Sequence, residues 1–168
     1  MPVLRNEGST LTQSLAILEY LDECYPDVPL LPSTHSDRAW VRSLALQIAC
    51  DIGPLNNLRV LQYLERSLHV SLADKQAWIV HWMGKGLAAL EAHLARDSRT
   101  GECCFGDNPT IADCCLVPQL FNARRFELPL DPYPTLLRID AHLATLPSVQ
   151  TVAPGSQPDT QPQAAGSS

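Results

Sequence analysis

A mainly α-helical protein is predicted, with a β-hairpin and a following helix at its front. Three observations predict it. Apolar residues recur at three- and four-residue spacing in one stretch after another, from Leu15 to Leu146. Short alternating segments occur only around Gly8, at the very start. The strongest local signal in the second half, Thr110-Ile111-Ala112-Asp113, is a helix-opening capping box. The expected division is 1–26 for the hairpin and first helix, 27–36 for a linker, 37–152 for a helical domain and 153–168 for a disordered tail.

Pro2 to Arg5 reads as a short strand, and Thr10-Leu11-Thr12 as its return. Asn6-Glu7-Gly8-Ser9 between them is turn chemistry, with Gly8 suited to positive φ. A two-stranded hairpin is marginal alone in water, so it needs more sheet or a helix to lean on. Leu15, Leu18 and Leu21 follow Gln13-Ser14 at helical spacing, with Ile17 and Cys24 beside them, until Pro26 stops the helix. Pro29, Pro32, Ser33 and Thr34 mark the linker. Ser36 or Asp37 is the expected cap of the next helix, whose inner face is Trp40, Val41, Leu44 and Ile48. Gly53-Pro54 should interrupt it, with Leu55 to Arg66 as a second piece or a kinked extension. Residues 71–96 form a long helix with Leu72, Ile79, Met83, Leu87, Leu90 and Leu94 as its stripe. Gly84 and Gly86 within it are expected where another helix comes close. The helix opened by Thr110 and Asp113 runs to Arg125 and holds Pro118, which removes one backbone bond. Tyr133 to Thr145 is the last predicted helix, with Leu136, Ile139 and Leu143 turned inward.

Composition excludes several functions. The net charge is −6, and a binder of phosphate backbones would need a basic stripe. No apolar run approaches the ~18 residues of a membrane span. The first residues form no charged-then-apolar leader, so a cytosolic address is expected. The cysteines are Cys24, Cys50, Cys103, Cys104, Cys114 and Cys115. They contain no C-x-x-C pair and no histidine at zinc spacing, so free, reduced, mostly buried thiols and no metal site are expected. The five histidines have no nucleophile partner or ligand spacing.

Three places carry candidate chemistry. Gln13-Ser14 stands where a strand becomes a helix; free N–H groups, the helix dipole and the Ser14 hydroxyl could converge there on a carboxylate, although the pair also suits a plain helix start. Arg124-Arg125 closes a helix; it could compensate the dipole or fork onto a substrate carboxylate. Asn56-Asn57 follows the Gly53-Pro54 break, as a turn or as amides presented to a cleft.

The string PVLRNEGSTLTQSLAILEYLDE resembles the end of the thioredoxin-like domain of glutathione transferases. GDNPTIADCCLVPQLFNARRF resembles the capped sixth helix of their all-α C-terminal domain. PLNNLRVLQYL, NARRF, PYPTLLRID and QPDT together resemble the zeta class. The resemblance implies that residues 1–26 are a thioredoxin-like α/β remnant ahead of the helical domain, and that the cofactor is glutathione. It implies that Pro2 matches the family's cis-proline, that the Met1 backbone pairs with the cysteinyl part, and that Gln13 and Ser14 hold the γ-glutamyl end. Asn56 stands where some relatives carry glutamine near the cofactor, and Arg125 matches the arginine linked to substrate carboxylate binding. The implied reaction is cis–trans isomerisation of maleylacetoacetate in tyrosine and phenylalanine breakdown: glutathione thiolate adds to the conjugated cis double bond, the bond rotates, and the thiol leaves.

The departures set further expectations. The family's first strand, first helix and second strand have no counterpart, and no S-S-C-S-like string occurs, so no thiolate-activating catalytic residue is assigned. Gly53 stands where bacterial relatives often carry histidine. A shortened, poorly soluble form with weak or no activity is expected, in a family of homodimers. Maleylpyruvate isomerisation, glutathione conjugation or dehalogenation of small α-halo acids, and a non-catalytic helical binding module are the alternatives.

Overall fold

The computed structural model describes residues 2–6 and 8–157. Strands β1 (Val3–Asn6) and β2 (Ser9–Thr12) pair antiparallel, with Val3 opposite Thr12 and Leu4 opposite Leu11. Gly8 takes φ 82° in the turn, a backbone that an L side chain would strain. The half-buried Leu4 and Leu11 share one face. Among the described residues this hairpin is the whole sheet.

Helix α1 (Ser14–Cys24) docks the hairpin onto the helices that follow. Leu15 and Leu18 pack on the core. Glu19 receives Arg42 Nε at 2.7 Å, and buried Asp22 accepts the backbone N–H groups of Leu30 and Leu31 at 2.6 and 3.2 Å. Asp22 therefore satisfies the turn that would otherwise leave two buried donors unpaired.

Helix α2 (His35–Leu46) is capped by Thr34 rather than by Ser36 or Asp37. Thr34 stays extended, its Oγ1 accepts from Asp37 N at 3.2 Å, and Asp37 takes the N3 position of the cap. The expected break at Gly53-Pro54 falls elsewhere. The helix widens into a π turn (Gln47–Ile52) and continues as α3 (Gly53–Leu55). Pro54 has no N–H for a carbonyl one turn back, and the wider turn accommodates that loss. The chain breaks at Asn56–Asn57. Asn57 then caps α4 (Leu58–Arg66) through Arg59 N at 3.2 Å, so the second piece starts at Leu58, not Leu55.

Helix α5 (Leu72–Arg96) is capped by Ser71 and buries Ile79, Met83, Leu87, Leu90 and Leu94. Leu72, expected in that stripe, is 71% exposed, because it is the first residue of the helix and overhangs its end. Helix α6 (Ile111–Arg125) is the buried spine, packed by α1, α2, the π turn and α7 (Pro134–Leu143). From α5, Glu91 caps α7 by accepting Thr135 N at 3.0 Å and Leu136 N at 2.9 Å. The chain closes with α8 (Pro147–Val152) and a single 3-10 turn (Pro154–Ser156). That turn corrects the expectation of disorder from Ala153 onward, since Ser156 N donates to Ala153 O at 2.8 Å. Residues 158–168 of the expected tail lie outside the described residues.

The two helix glycines separate on inspection. A Cβ on Gly86 would lie 2.3 Å from Ile52 Cγ1, and Ile52 is buried in the π turn. A Cβ on Gly84 would meet nothing nearer than 3.5 Å. Gly86→Ala is expected to lower stability by about 1–3 kcal/mol through overpacking. Gly84→Ala should raise it by roughly 0.5–1 kcal/mol through helix propensity. Urea unfolding of both variants checks this; a Gly86→Ala protein as stable as the parent would refute the close approach.

Candidate functional site

The first cluster lies where β2 meets α1. Gln13 is the N-cap of α1 at φ 72°, ψ 125°. A non-glycine residue held there stores about 1–3 kcal/mol of backbone strain. No side chain caps the helix, and its first turn carries no acidic residue. The first intrahelical bond runs from Ile17 N to Gln13 O at 3.1 Å, leaving the N–H groups of Ser14, Leu15 and Ala16 without an acceptor inside the helix. Ser14 is exposed. The strand register, Val3 opposite Thr12, brings Pro2 level with Gln13 at the same end of the hairpin. Met1, and with it the peptide bond to Pro2, lies outside the described residues. Beside this corner runs a groove of about 240 Å³ lined by Leu15, Ala16, Glu19, Arg42, Leu46 and Ile111. The corner thus has the donors and the dipole for a carboxylate, with no acidic residue in the first turn of α1.

The second cluster lies at the far end of α6. Arg124 and Arg125 take different roles. Arg124 pairs with Asp140 on α7. Arg125 is exposed, its guanidinium lies 5.8 Å from the Phe126 ring centre, and it has no ion pair among the described residues. Helix α5 aligns Arg125 with Asn56. Gln76 Nε2 donates to Phe126 O at 2.6 Å, and Trp78 Nε1 donates to Leu55 O at 2.9 Å. Two residues along a helix differ by only ~3 Å in height but point to different faces, so the residues next to those carbonyls, Arg125 and Asn56, share a level of the bundle while being held from different faces of α5. Both side-chain polar atoms of Asn56 are sealed from solvent without a partner. Such a group costs about 1–3 kcal/mol while unsatisfied.

The sequence-predicted residues therefore fall in two groups. Pro2, Gln13 and Ser14 gather at one corner. Asn56 and Arg125 share a level of the bundle at its other end, Arg125 exposed and the Asn56 amide sealed. Because Ile111 borders the first and Arg125 forms the second, the fourteen-residue rise of α6 sets them roughly 21 Å apart. Gln119 and Asn122 went unnoticed in the sequence. Their signal was a polar side chain every third residue, leading to Arg125, in the second half of the helix.

The fold and both corners can now be set against known proteins. A family model described as "Glutathione S-transferase, C-terminal domain" matches residues 83–146. A "Probable maleylacetoacetate isomerase" of Vibrio cholerae is 48% identical over 159 residues, which is 95% of this chain and 73% of that protein. The chain belongs to the zeta class of the glutathione transferases. A solved zeta-class protein, described as the "Holo structure of Maleyl Pyruvate Isomerase", superposes with a TM-score of 0.93 at 43% identity, over 96% of this chain and 76% of the other. A maleylacetoacetate isomerase from Anaeromyxobacter dehalogenans, solved "with bound GSH in the active site", superposes with a TM-score of 0.86 at 42% identity, over 95% of this chain and 72% of the other. This zeta-class chain accordingly spans about three quarters of the length of those relatives.

The thiols lie apart from both corners. All six are free, but only Cys103, Cys104 and Cys115 are buried, so "mostly buried" becomes half. The reason is that Cys24, Cys50 and Cys114 fall at exposed positions of their helices. Burial, reinforced by the Asp113 carboxylate, pushes the Cys103 thiol up to about 12. Burial likewise pushes Cys115 up to about 12, with Cys114 and Asp113 adding to it. At pH 8 these groups stay protonated and unreactive. Thiol titration of the folded chain should therefore modify Cys24 and Cys50 quickly, and Cys103, Cys104 and Cys115 only after denaturation. Fast modification of all six in the native protein would contradict the packing.

Proposed function

We propose that the chain is the glutathione-binding and substrate-holding part of a cis–trans isomerase acting on maleylacetoacetate, with maleylpyruvate as the nearest alternative. The observation that carries the reading is the pair of anion-ready corners about 21 Å apart on α6. An extended tripeptide takes up roughly 10 Å of that span. A linear keto diacid of similar length can occupy the rest.

Glutathione fits the first corner on the chain's own terms: α1 has an uncapped N-terminus, a hydroxyl at Ser14 and no acidic side chain in its first turn. Its bound thiol supplies reversible addition to a conjugated double bond, which frees that bond to rotate. Ser14 and the first N–H groups of α1 hold the γ-glutamyl carboxylate, while the strained Gln13 backbone turns the chain so that those donors face it. Pro2, level with Gln13, flanks the peptide backbone of the same ligand. Arg125 takes a substrate carboxylate, bidentate where geometry allows. The sealed Asn56 amide is held at the same level, ready for a polar group that enters there.

The reading extends to assembly and address. Residues 1–26 act as part of a thioredoxin-like unit, 27–36 as its connection and 37–152 as the helical unit; the chain pairs with a second copy and works in the cytosol. Six free cysteines and no disulfide support a reducing compartment. No described helix is long and apolar enough to cross a membrane.

Calorimetry separates the two corners. Ser14→Ala is expected to weaken glutathione binding about tenfold or more, the loss of a hydrogen bond to a charged group. Arg125→Ala should leave glutathione affinity unchanged and weaken binding of a keto diacid by at least as much. Equal loss of both ligands in either variant would contradict the division.

A further inference from the structure

The stretch of α6 between the two corners is lined by three side chains at three-residue spacing: Gln119, Asn122 and Arg125. Each step rises about 4.5 Å along the helix. Exposure grows along the row, from 9% at Gln119 through half-buried Asn122 to exposed Arg125. None of the three has a side-chain hydrogen bond or ion pair among the described residues. Gln119 Nε2 is sealed from solvent and unpartnered.

The opposite wall follows from register. Ile111 of α6 shares a groove with Arg42 and Leu46 of α2, so the two elements run side by side in the same direction. One turn further along, the π turn that carries Cys50 packs on α6. The next turn sets Gln119 level with Gly53 and Pro54. A Cβ built on Gly53 would meet only the Ile48 carbonyl, at 3.4 Å, so no side chain fills the space directly before Gly53. An orphaned amide at such a place lowers stability unless a ligand atom completes it.

We propose that Gln119 recognises the substrate's ketone: its amide N–H donates to the carbonyl oxygen conjugated with the isomerised double bond, while Arg125 holds the carboxylate further along the row. The proposal rests on the isomerase reading and adds to it a residue that reads the ketone. Negative charge gathers on that oxygen when a nucleophile adds to the neighbouring double bond, and a fixed donor beside it favours the addition. No proton changes hands. Asn122, between the two, lines the path.

The test uses the full chain in saturating glutathione and two inert probes, ketopimelate and pimelate, which differ by one carbonyl oxygen. The parent is expected to bind ketopimelate roughly tenfold tighter than pimelate. Gln119→Met, close in shape but unable to donate, should abolish that preference while its melting midpoint holds or rises. Gln119→Glu should weaken both probes through like charge. A Gln119→Met variant that keeps the preference, or that melts lower than the parent, overturns the proposal. Equal binding of the two probes by the parent overturns it as well but leaves the diacid site standing. Failure of the parent to bind either probe overturns the isomerase reading and this proposal together.

Discussion

One carboxylate starts the helix on which both corners depend. Asp113 accepts the backbone N–H and the hydroxyl of Thr110, both at 2.8 Å, and with its other oxygen the N–H of Cys104 at 2.8 Å. It is buried, as is Thr110. The cap thereby closes the first turn of α6 and anchors the loop before it. Ile111 N then donates to Leu30 O at 3.1 Å, joining that same turn to the segment held by Asp22 of α1. From Asp22 to Leu30 to Ile111 to Asp113, the first corner is fixed to the helix that ends in the second. Removing a cap of this kind costs about 1 kcal/mol in an exposed helix. Here the carboxylate serves three donors, and its loss would strand all of them in the core.

At the other end of α6 the constraint comes from α5. Gln76 and Trp78 grip two carbonyls from separate elements, at Phe126 and Leu55. Gly86, ten residues further along, admits Ile52 against the helix axis. Together these contacts hold the π turn, α3 and the C-terminus of α6 against one scaffold. Arg125 is left facing outward from a rigid base, and the Asn56 amide is held sealed within it; a fixed base of this kind is what a pre-organised ligand site requires. Strain at Gln13 and orphaned amides at Asn56 and Gln119 are local weaknesses borne by that base. They coincide with the positions that the proposed function uses.

Much of this was legible in the sequence because it was local. The Thr110–Asp113 box, the Ser71 start of α5, the hairpin around Gly8 and the inward leucines follow from spacing alone. The Gln13-Ser14 corner was legible as a strand running into a helix. What was not legible depends on partners far along the chain. Nothing near Arg124 and Arg125 says that Asp140 occupies the first and leaves the second. The level shared by Asn56 and Arg125 comes from Gln76 and Trp78, which look like ordinary residues of an amphipathic helix. The position of the break after α2 was misjudged because Pro54 was read as a helix stop. A π turn takes up the missing hydrogen bond and carries the break on to Asn56. Gln119 carried no local mark of its burial, which comes from the helices packed around α6.

The central claim is that ligand runs along α6 from the α1 N-terminus to Arg125. Backbone amide shifts of the labelled chain, recorded during stepwise addition of glutathione and then of a keto diacid, test it most directly. The account predicts that glutathione perturbs Ser14, Leu15 and Ala16 first, and that the diacid then perturbs Asn57 and the residues from Gln119 to Phe126. Perturbation by glutathione at the Arg125 end, with the α1 N-terminus silent, would contradict it.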